Sequence, residues 1–232
     1  MTAYMAARSS SILGRMQKPF NSLLGETYEL VTANYRAVAE QVSHHPPITA
    51  IHCESTLYDV YAANQTTMRF NGRYVVFQPK DPIYINLKLT DGSVESYTCS
   101  LPVITVHNLV IGKVYVDVNG KSQNVNNITG EIADMEFKER GWSGKNAGVF
   151  TSTTKTKDGK PCFRVHGRFN QYAIVQDLND SAAPEEEVWR ARNKPSNSDF
   201  MYQFSRFTLQ MNHINDALKE RLPPTDARFR PD

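Results

Sequence analysis

Hydrophobic and polar positions alternate over much of this chain. In "YVVFQPKDPIYINLKLT", residues 74–90, Ile83, Ile85, Leu87 and Leu89 fall on one face and Tyr84, Asn86 and Lys88 on the other. That period of two predicts a half-buried strand. "TYELVTANYRAVAEQV" is similarly rich in β-branched and aromatic residues. Asp91-Gly92, Asn119-Gly120 and Asp158-Gly159 each separate two such runs. These dipeptides suit turns with φ > 0 at both central residues, so all three predict tight hairpins. A succession of antiparallel hairpins must bury one face and deal with its edges, and curling into a barrel does both.

The ends read differently. "MTAYMAARSSSILGRMQKPF" has no acid before Glu26 and carries Arg8, Arg15 and Lys18. It reads as a mitochondrial presequence or as a helix packing its Ala, Met, Ile and Leu inward. The absence of a cleavage or linker region before "KPFN" favours the helix. "LNDSAAPEEEVWRARNKPSNSDF" (178–200), with Pro184 and Pro195, predicts a polar surface excursion. "FMYQFSRFTLQMN" (200–212) predicts a return to strand. "HINDALKERLPPTDARFRPD" predicts a short helix ended by Pro223-Pro224, then an exposed tail. No internal repeat or domain boundary is visible, so 1–232 reads as a single domain.

Composition narrows the function. The chain of 232 residues is 40% hydrophobic, enough for a core. Its net charge of +2 and lack of a basic run argue against nucleic acid. No apolar run approaches the roughly 20 residues of a membrane-spanning helix. Cys53, Cys99 and Cys162 are odd in number and in no CxxC spacing. They fit neither a disulfide framework nor a structural zinc site, and suit a reducing compartment. "GWSGK" at 141–145 is neither a nucleophile elbow nor a phosphate-binding loop, and no H-E-x-x-H occurs. No pair of acids stands out as general acid and base.

One stretch carries chemistry: "EQVSHHPPI", Glu40 to Ile48. Metal binding is disfavoured, because adjacent residues on an extended backbone point to opposite faces and no spacing singles out a third ligand. Anion binding asks less of geometry, and a phosphate dianion draws imidazole into its charged, doubly donating form. Pro46 and Pro47 fix their own φ and keep the preceding residues out of helix. On these residues alone, a phosphate site and a pair with one ring buried and one solvated both stand. "KPFNSLLGETYE" (18–29) is a second anion-binding element: Lys18 is a mobile point charge, Asn21 a side-chain donor, and Gly25 permits an unusual φ. A capped turn bearing a surface lysine explains it equally well.

Together the two stretches are specific. "KPFNSLLGETYE" followed by "EQVSHHPPITA" resembles the ligand-binding domain of the oxysterol-binding protein-related family. "VHNLVIGKVYVD", "NITGEIADMEF", "VHGRFNQY", "MYQFSRFTLQMN" and "LPPTDARFRPD" extend the likeness over nearly the whole chain. The resemblance implies a mainly β fold: an incomplete, curved antiparallel β-barrel around an apolar tunnel, with a few flanking helices. It implies an intracellular lipid carrier rather than an enzyme, without cofactor or metal. Its ligands are phosphatidylinositol 4-phosphate and a sterol or phosphatidylserine, exchanged between membranes. The matching headgroup residues are Lys18, Phe20, Asn21, His44 and His45. A cytoplasmic location with transient contact at membrane surfaces follows from that role. The family's lid and earlier helices lie upstream of the stretch this chain matches and a charged helix downstream, so the expected domain lacks both. Two other functions compete: a sensor or tether that reads the lipid without moving it, and a metal-dependent hydrolase using His44 and His45.

Overall fold

The alternating runs become one sheet. The computed structural model describes residues 1–15 and 21–230. It holds β1 (Thr27–Val31), β2 (Tyr35–His44), β3 (Pro47–Ser55), β4 (Tyr58–Phe70), β5 (Val75–Pro79), β6 (Ile83–Lys88) and β7 (Val94–Cys99). These are followed by β8 (Val103–His107), β9 (Tyr115–Asn126), β10 (Ile132–Phe137), β11 (Val149–Lys155), β12 (Pro161–Arg168), β13 (Tyr172–Asp177) and β14 (Glu186–Arg190). Three short helices flank them: α1 (Thr2–Arg8), α2 (Arg206–Met211) and α3 (Asp216–Lys219).

The strand order runs from β1 to β14 without joining those two edges, so the sheet curls as an incomplete barrel. In the middle it forks. The first half of β4 pairs with β6 (Tyr58 opposite Leu87), and its second half with β5 (Thr66 opposite Pro79). Both branches rejoin on β9, β8 at Tyr115–Asn119 and β7 at Asn124–Asn126. Gly120 sits at the rejoining point with φ +89°. Asn119-Gly120 is therefore not the expected hairpin. The glycine bends a long strand where its partner changes, a use of Gly that sequence alone does not separate from a turn. Asp91-Gly92 and Asp158-Gly159 do join consecutive strands, β6 to β7 and β11 to β12, but only the glycines take φ > 0 (+85° and +83°), so neither is the two-residue turn expected.

One face of the curl is apolar. Ile83, Ile85, Cys99, Val118, Met135, Phe137, Phe150 and Phe169 are buried there, and Met5 and Ala6 of α1 pack onto them. The ring of Phe137 lies 6.1 Å from Phe150 and 5.7 Å from Phe169, a usual spacing for aromatic pairs. Leu87 shares this face as expected; Leu89 lies past the end of β6 and is exposed. The N-terminal segment behaves as the packing helix of the sequence reading. Gly167 of β12 has φ +153°, and a Cβ there would stand 2.3 Å from the Tyr172 carbonyl oxygen. Gly167→Ala should cost about 2–3 kcal/mol through strain and overpacking, measured by urea melts. A melt unchanged from wild type would contradict this contact.

Three further expectations are corrected. The polar excursion contains β14, whose Trp189 packs against the core while its acidic residues face outward. Charges on an edge strand discourage further pairing, which hid the strand from composition. The expected strand in 200–212 contains helix α2 instead. Ser205 caps it by accepting the Thr208 N–H at 3.1 Å, and Phe207 is left exposed. The tail is only partly exposed: Phe229 is open to water, but Asp226 is buried and bridges to Thr27 of β1.

Candidate functional site

His44 ends β2 and pairs with Pro47, so His45 and Pro46 form the two-residue tip of the β2–β3 hairpin. The His45–Pro46 peptide is cis, the arrangement of a turn with proline at its third position. A register shift between Gln41 and Ser43 bends the strand just before it. Gln41 pins that bend from within: its Nε2 donates to the Ser43 carbonyl and its Oε1 accepts from Thr49 Oγ1, each at 2.7 Å. The turn cancels the alternation of an extended backbone. The two imidazoles stand together, centroids 4.5 Å apart at 61°, both exposed to solvent. Among the described residues, no group of three or more His, Cys, Asp or Glu is placed to hold a metal ion.

The second motif is drawn alongside. Gly25, at φ +77°, donates its N–H to the Gln41 carbonyl (2.8 Å), and Gln41 donates to the Glu26 carbonyl (3.0 Å). The expectation of an unusual φ at Gly25 is met. Just upstream the chain turns, the Glu26 N–H donating to the Leu23 carbonyl at 3.0 Å. Asn21 is exposed, and its carbonyl accepts from Arg230 Nη1 at 2.7 Å. Lys18 and Phe20, the other expected headgroup residues, lie outside the described residues.

The C-terminal segment holds this motif in place, which the sequence reading missed. Thr27 donates its N–H to the Thr225 carbonyl at 2.9 Å. Asp226 pairs with Arg228 at 2.7 Å, their side chains only 0% and 4% exposed. Arg228 also donates to the Glu29 carbonyl and covers the Tyr28 ring at 4.5 Å. Burial raises the Asp226 carboxyl, but hydrogen bonds from Arg228 and the Glu29 N–H outweigh it and hold the group below the usual carboxylate range. Arg230 reaches Glu26 at 3.1 Å. The sequence carried this segment only as part of "LPPTDARFRPD", a stretch read for its family likeness and not for its contacts.

Below the hairpin the sheet's inner face changes character. Following register from β2 to β6, Ala37, Cys53, Val60 and Ile85 share one row, and Ala39, Ile51, Ala62 and Ile83 the next. The isoleucines of β6 are buried under α1, but the side chains on β2–β4 are small and only partly covered. Opposite them stand Tyr4 and Arg8, one turn apart on α1. Both are open to water, yet surrounding protein raises the Tyr4 phenol and lowers Arg8 through burial. Cys53 is near enough to act on Tyr4 electrostatically. Burial likewise raises all three thiols, Cys99 to about 11, which fits inert apolar side chains.

Comparison with known proteins gives a consistent picture. The family described as "Oxysterol-binding protein" matches residues 1–232. Human oxysterol-binding protein-related protein 2 is 30% identical over 278 residues, covering 100% of this chain and 57% of the relative. Arabidopsis thaliana oxysterol-binding protein-related protein 1B is 32% identical, covering 100% and 47%. The chain thus spans about half the length of these two relatives. Among solved structures, the Osh1 ORD domain in complex with cholesterol superposes with a TM-score of 0.88 at 28% identity, covering 99% of this chain and 58% of that one. The Osh3 ORD in complex with PI(4)P, from Saccharomyces cerevisiae, gives 0.83 at 25%, covering 99% and 61%.

Proposed function

Because the chain belongs to the oxysterol-binding protein family, we propose that it binds phosphatidylinositol 4-phosphate and a sterol in turn and moves them between membranes. The observation that carries this reading is the pair of imidazoles side by side at the open end of a sheet whose inner wall is small, apolar and incompletely filled. Each ring donates at least one N–H, and a phosphate offers acceptors on several sides, so two rings grip it from one wall. Lys18, Phe20 and Asn21 complete the headgroup site from the neighbouring motif. Phosphatidylserine is the second candidate for the sterol's place.

The partly covered apolar wall would supply the rest of the affinity. Each buried CH₂ contributes about 0.8 kcal/mol, so even part of a sterol or acyl chain outweighs any single polar contact. The rim then decides which headgroup fits. Sterol and acyl chains need the same apolar space, so one excludes the other, which is what exchange requires. Solved relatives support this pairing: one holds cholesterol or ergosterol, another PI(4)P. Among the described residues no helix is long and apolar enough to cross a membrane, and the proposed role places the protein in the cytoplasm at membrane surfaces.

The test is extraction from vesicles carrying labelled phosphatidylinositol 4-phosphate, with a labelled sterol as competitor. We expect one lipid per protein and mutual displacement. Simultaneous binding of both would refute exchange, and extraction of neither would refute lipid carriage. Binding without net movement to acceptor vesicles would point to the sensor.

A further inference from the structure

A second cleft lies where β13 and β14 end the strand order, away in that order from the β2–β3 hairpin. Its volume is about 540 Å³, within the usual size of a small-molecule site. Four stretches wall it: the Ser9–Ser11 turn after α1 together with Arg15, the β12–β13 turn, the chain leaving β14, and the approach to α2. Hydrogen bonds and close packing fix them. The Ala191 N–H donates to the Gln171 carbonyl at 2.7 Å, which carries the pairing one step past β14. Gly148 makes room for the neighbouring wall: a Cβ there would stand 2.5 Å from Asn170 Oδ1 and 3.0 Å from Leu13. Tyr202 and Gln203 are consecutive non-glycine residues in the left-handed region, φ +51° and +60°. The Gln203 N–H holds that turn by donating to the Ser198 carbonyl at 2.8 Å.

The charge in this cleft is one-sided. Arg15, Arg190, Arg192 and Lys194 line it, and among the described residues no carboxylate does. Arg190 is held by Glu187. Lys194 donates to Gln203 Oε1 at 3.1 Å, and Gln203 Nε2 in turn donates to Asp199. Arg192 is exposed and Arg15 half-buried, and among the described residues neither is in an ion pair. The Arg15 guanidinium lies over the Phe204 ring at 4.8 Å. Its Nε is shut off from water and has no acceptor; Asn170 Oδ1 is likewise shut off and has no donor. Leaving a charged donor in that state is costly, and a ligand oxygen beside it relieves the cost.

We propose that this cleft binds a small, soluble sugar or polyol phosphate. The phosphate supplies what the cations lack: the planar guanidinium of Arg15 or Arg192 matches two of its oxygens, and Lys194 adds a point charge. A phosphomonoester dianion has acceptors only, so by itself it leaves Asn170 Oδ1 without a donor. A hydroxyl on the same molecule provides one. The hydroxyls of Ser10, Ser11 and Thr208 on the walls can donate or accept, which suits a ligand carrying several hydroxyls of its own. The cleft shares no residue with the histidine hairpin or with the inner wall of β2–β4, and it does not depend on the lipid-carrier reading.

The test titrates isotope-labelled protein in phosphate-free buffer with glucose 6-phosphate, inorganic phosphate and glucose, and reads backbone amide shifts by NMR. Glucose 6-phosphate should move the amides of 169–171 and 190–194 at lower concentration than inorganic phosphate does, and glucose alone should move none. Arg192→Glu/Lys194→Glu should raise the half-saturating concentration about tenfold or more. Both positions are exposed, and circular dichroism checks that the variant is folded. Arg15→Lys keeps the charge but loses the fork, and should weaken binding in the same direction. No shift in the cleft, an equal response to glucose 6-phosphate and inorganic phosphate, or a charge-reversed variant that binds like wild type would overturn the site. Two controls separate it from the phosphoinositide. His44→Ala/His45→Ala should bind glucose 6-phosphate as wild type does. Arg192→Glu/Lys194→Glu should bind a short-chain, water-soluble phosphatidylinositol 4-phosphate as wild type does. Loss of both ligands in either variant would overturn a separate site and make the cleft part of the headgroup clamp.

Discussion

Replacing His44 and His45 together by alanine should leave the protein folded and abolish the phosphatidylinositol 4-phosphate binding proposed for it. Both rings are exposed at a hairpin tip, and exposed substitutions of this kind usually change stability by only about 0.5 kcal/mol. The turn is held by the prolines and by Gln41, which the substitutions do not touch. Each ring's hydrogen bond to a charged phosphate is worth about 1.5–3 kcal/mol, so losing both weakens binding on the order of a hundredfold or more. Sterol binding should survive, since it depends on the apolar wall. Titration with the phosphoinositide and with sterol separates the two effects. A double variant that still extracts the phosphoinositide like wild type would show that the rings are not the clamp.

The second large effect lies in the tail. Asp226→Asn keeps the shape but leaves Arg228 buried without its counter-charge, which typically costs about 3–5 kcal/mol. Its pH dependence has a definite sign. The Asp226 pKa is depressed in the folded state, so its contribution is complete above the ordinary carboxylate pKa and is lost as pH falls through the lower folded value. Wild type and Asp226→Asn should therefore differ most near neutrality and converge in acid, below about pH 4. Urea melts at both pH values test this. Replacing both partners, as in Asp226→Leu/Arg228→Met, should recover only part of the loss, because it leaves no stranded charge but deprives the Glu29 N–H of its acceptor. A gap that is constant with pH would mean that the carboxylate is not what stabilises the tail.

The contrast between these two sites explains what could be read from the chain alone. The histidines announce themselves by chemistry and local spacing, and the alternation at Ile83, Ile85 and Leu87 names the inner face of β6. Asp91-Gly92 and Asp158-Gly159 work as turns because their neighbours pair with each other. Asn119-Gly120 has the same local chemistry but sits where β9 changes partners, a fact decided by residues far away in sequence. The same holds for Asp226, whose contacts with Glu29 span nearly the whole chain. That the two imidazoles lie side by side also escaped the pattern, because extended geometry predicts the reverse and only the hairpin tip reconciles them.

The small residues on the inner wall of β2–β4 give this fold a way to vary. Ala37, Ala39 and Ala62 hang from strands whose hydrogen-bond ladder does not depend on side-chain bulk. Larger groups there would narrow the space proposed for the lipid and leave the pleated frame as it is. Rigid fused rings would be shut out before flexible hydrocarbon tails, which can bend around an obstruction. A descendant could thus trade one passenger for another by single-residue swaps along three neighbouring strands, with the loops at the mouth unaltered.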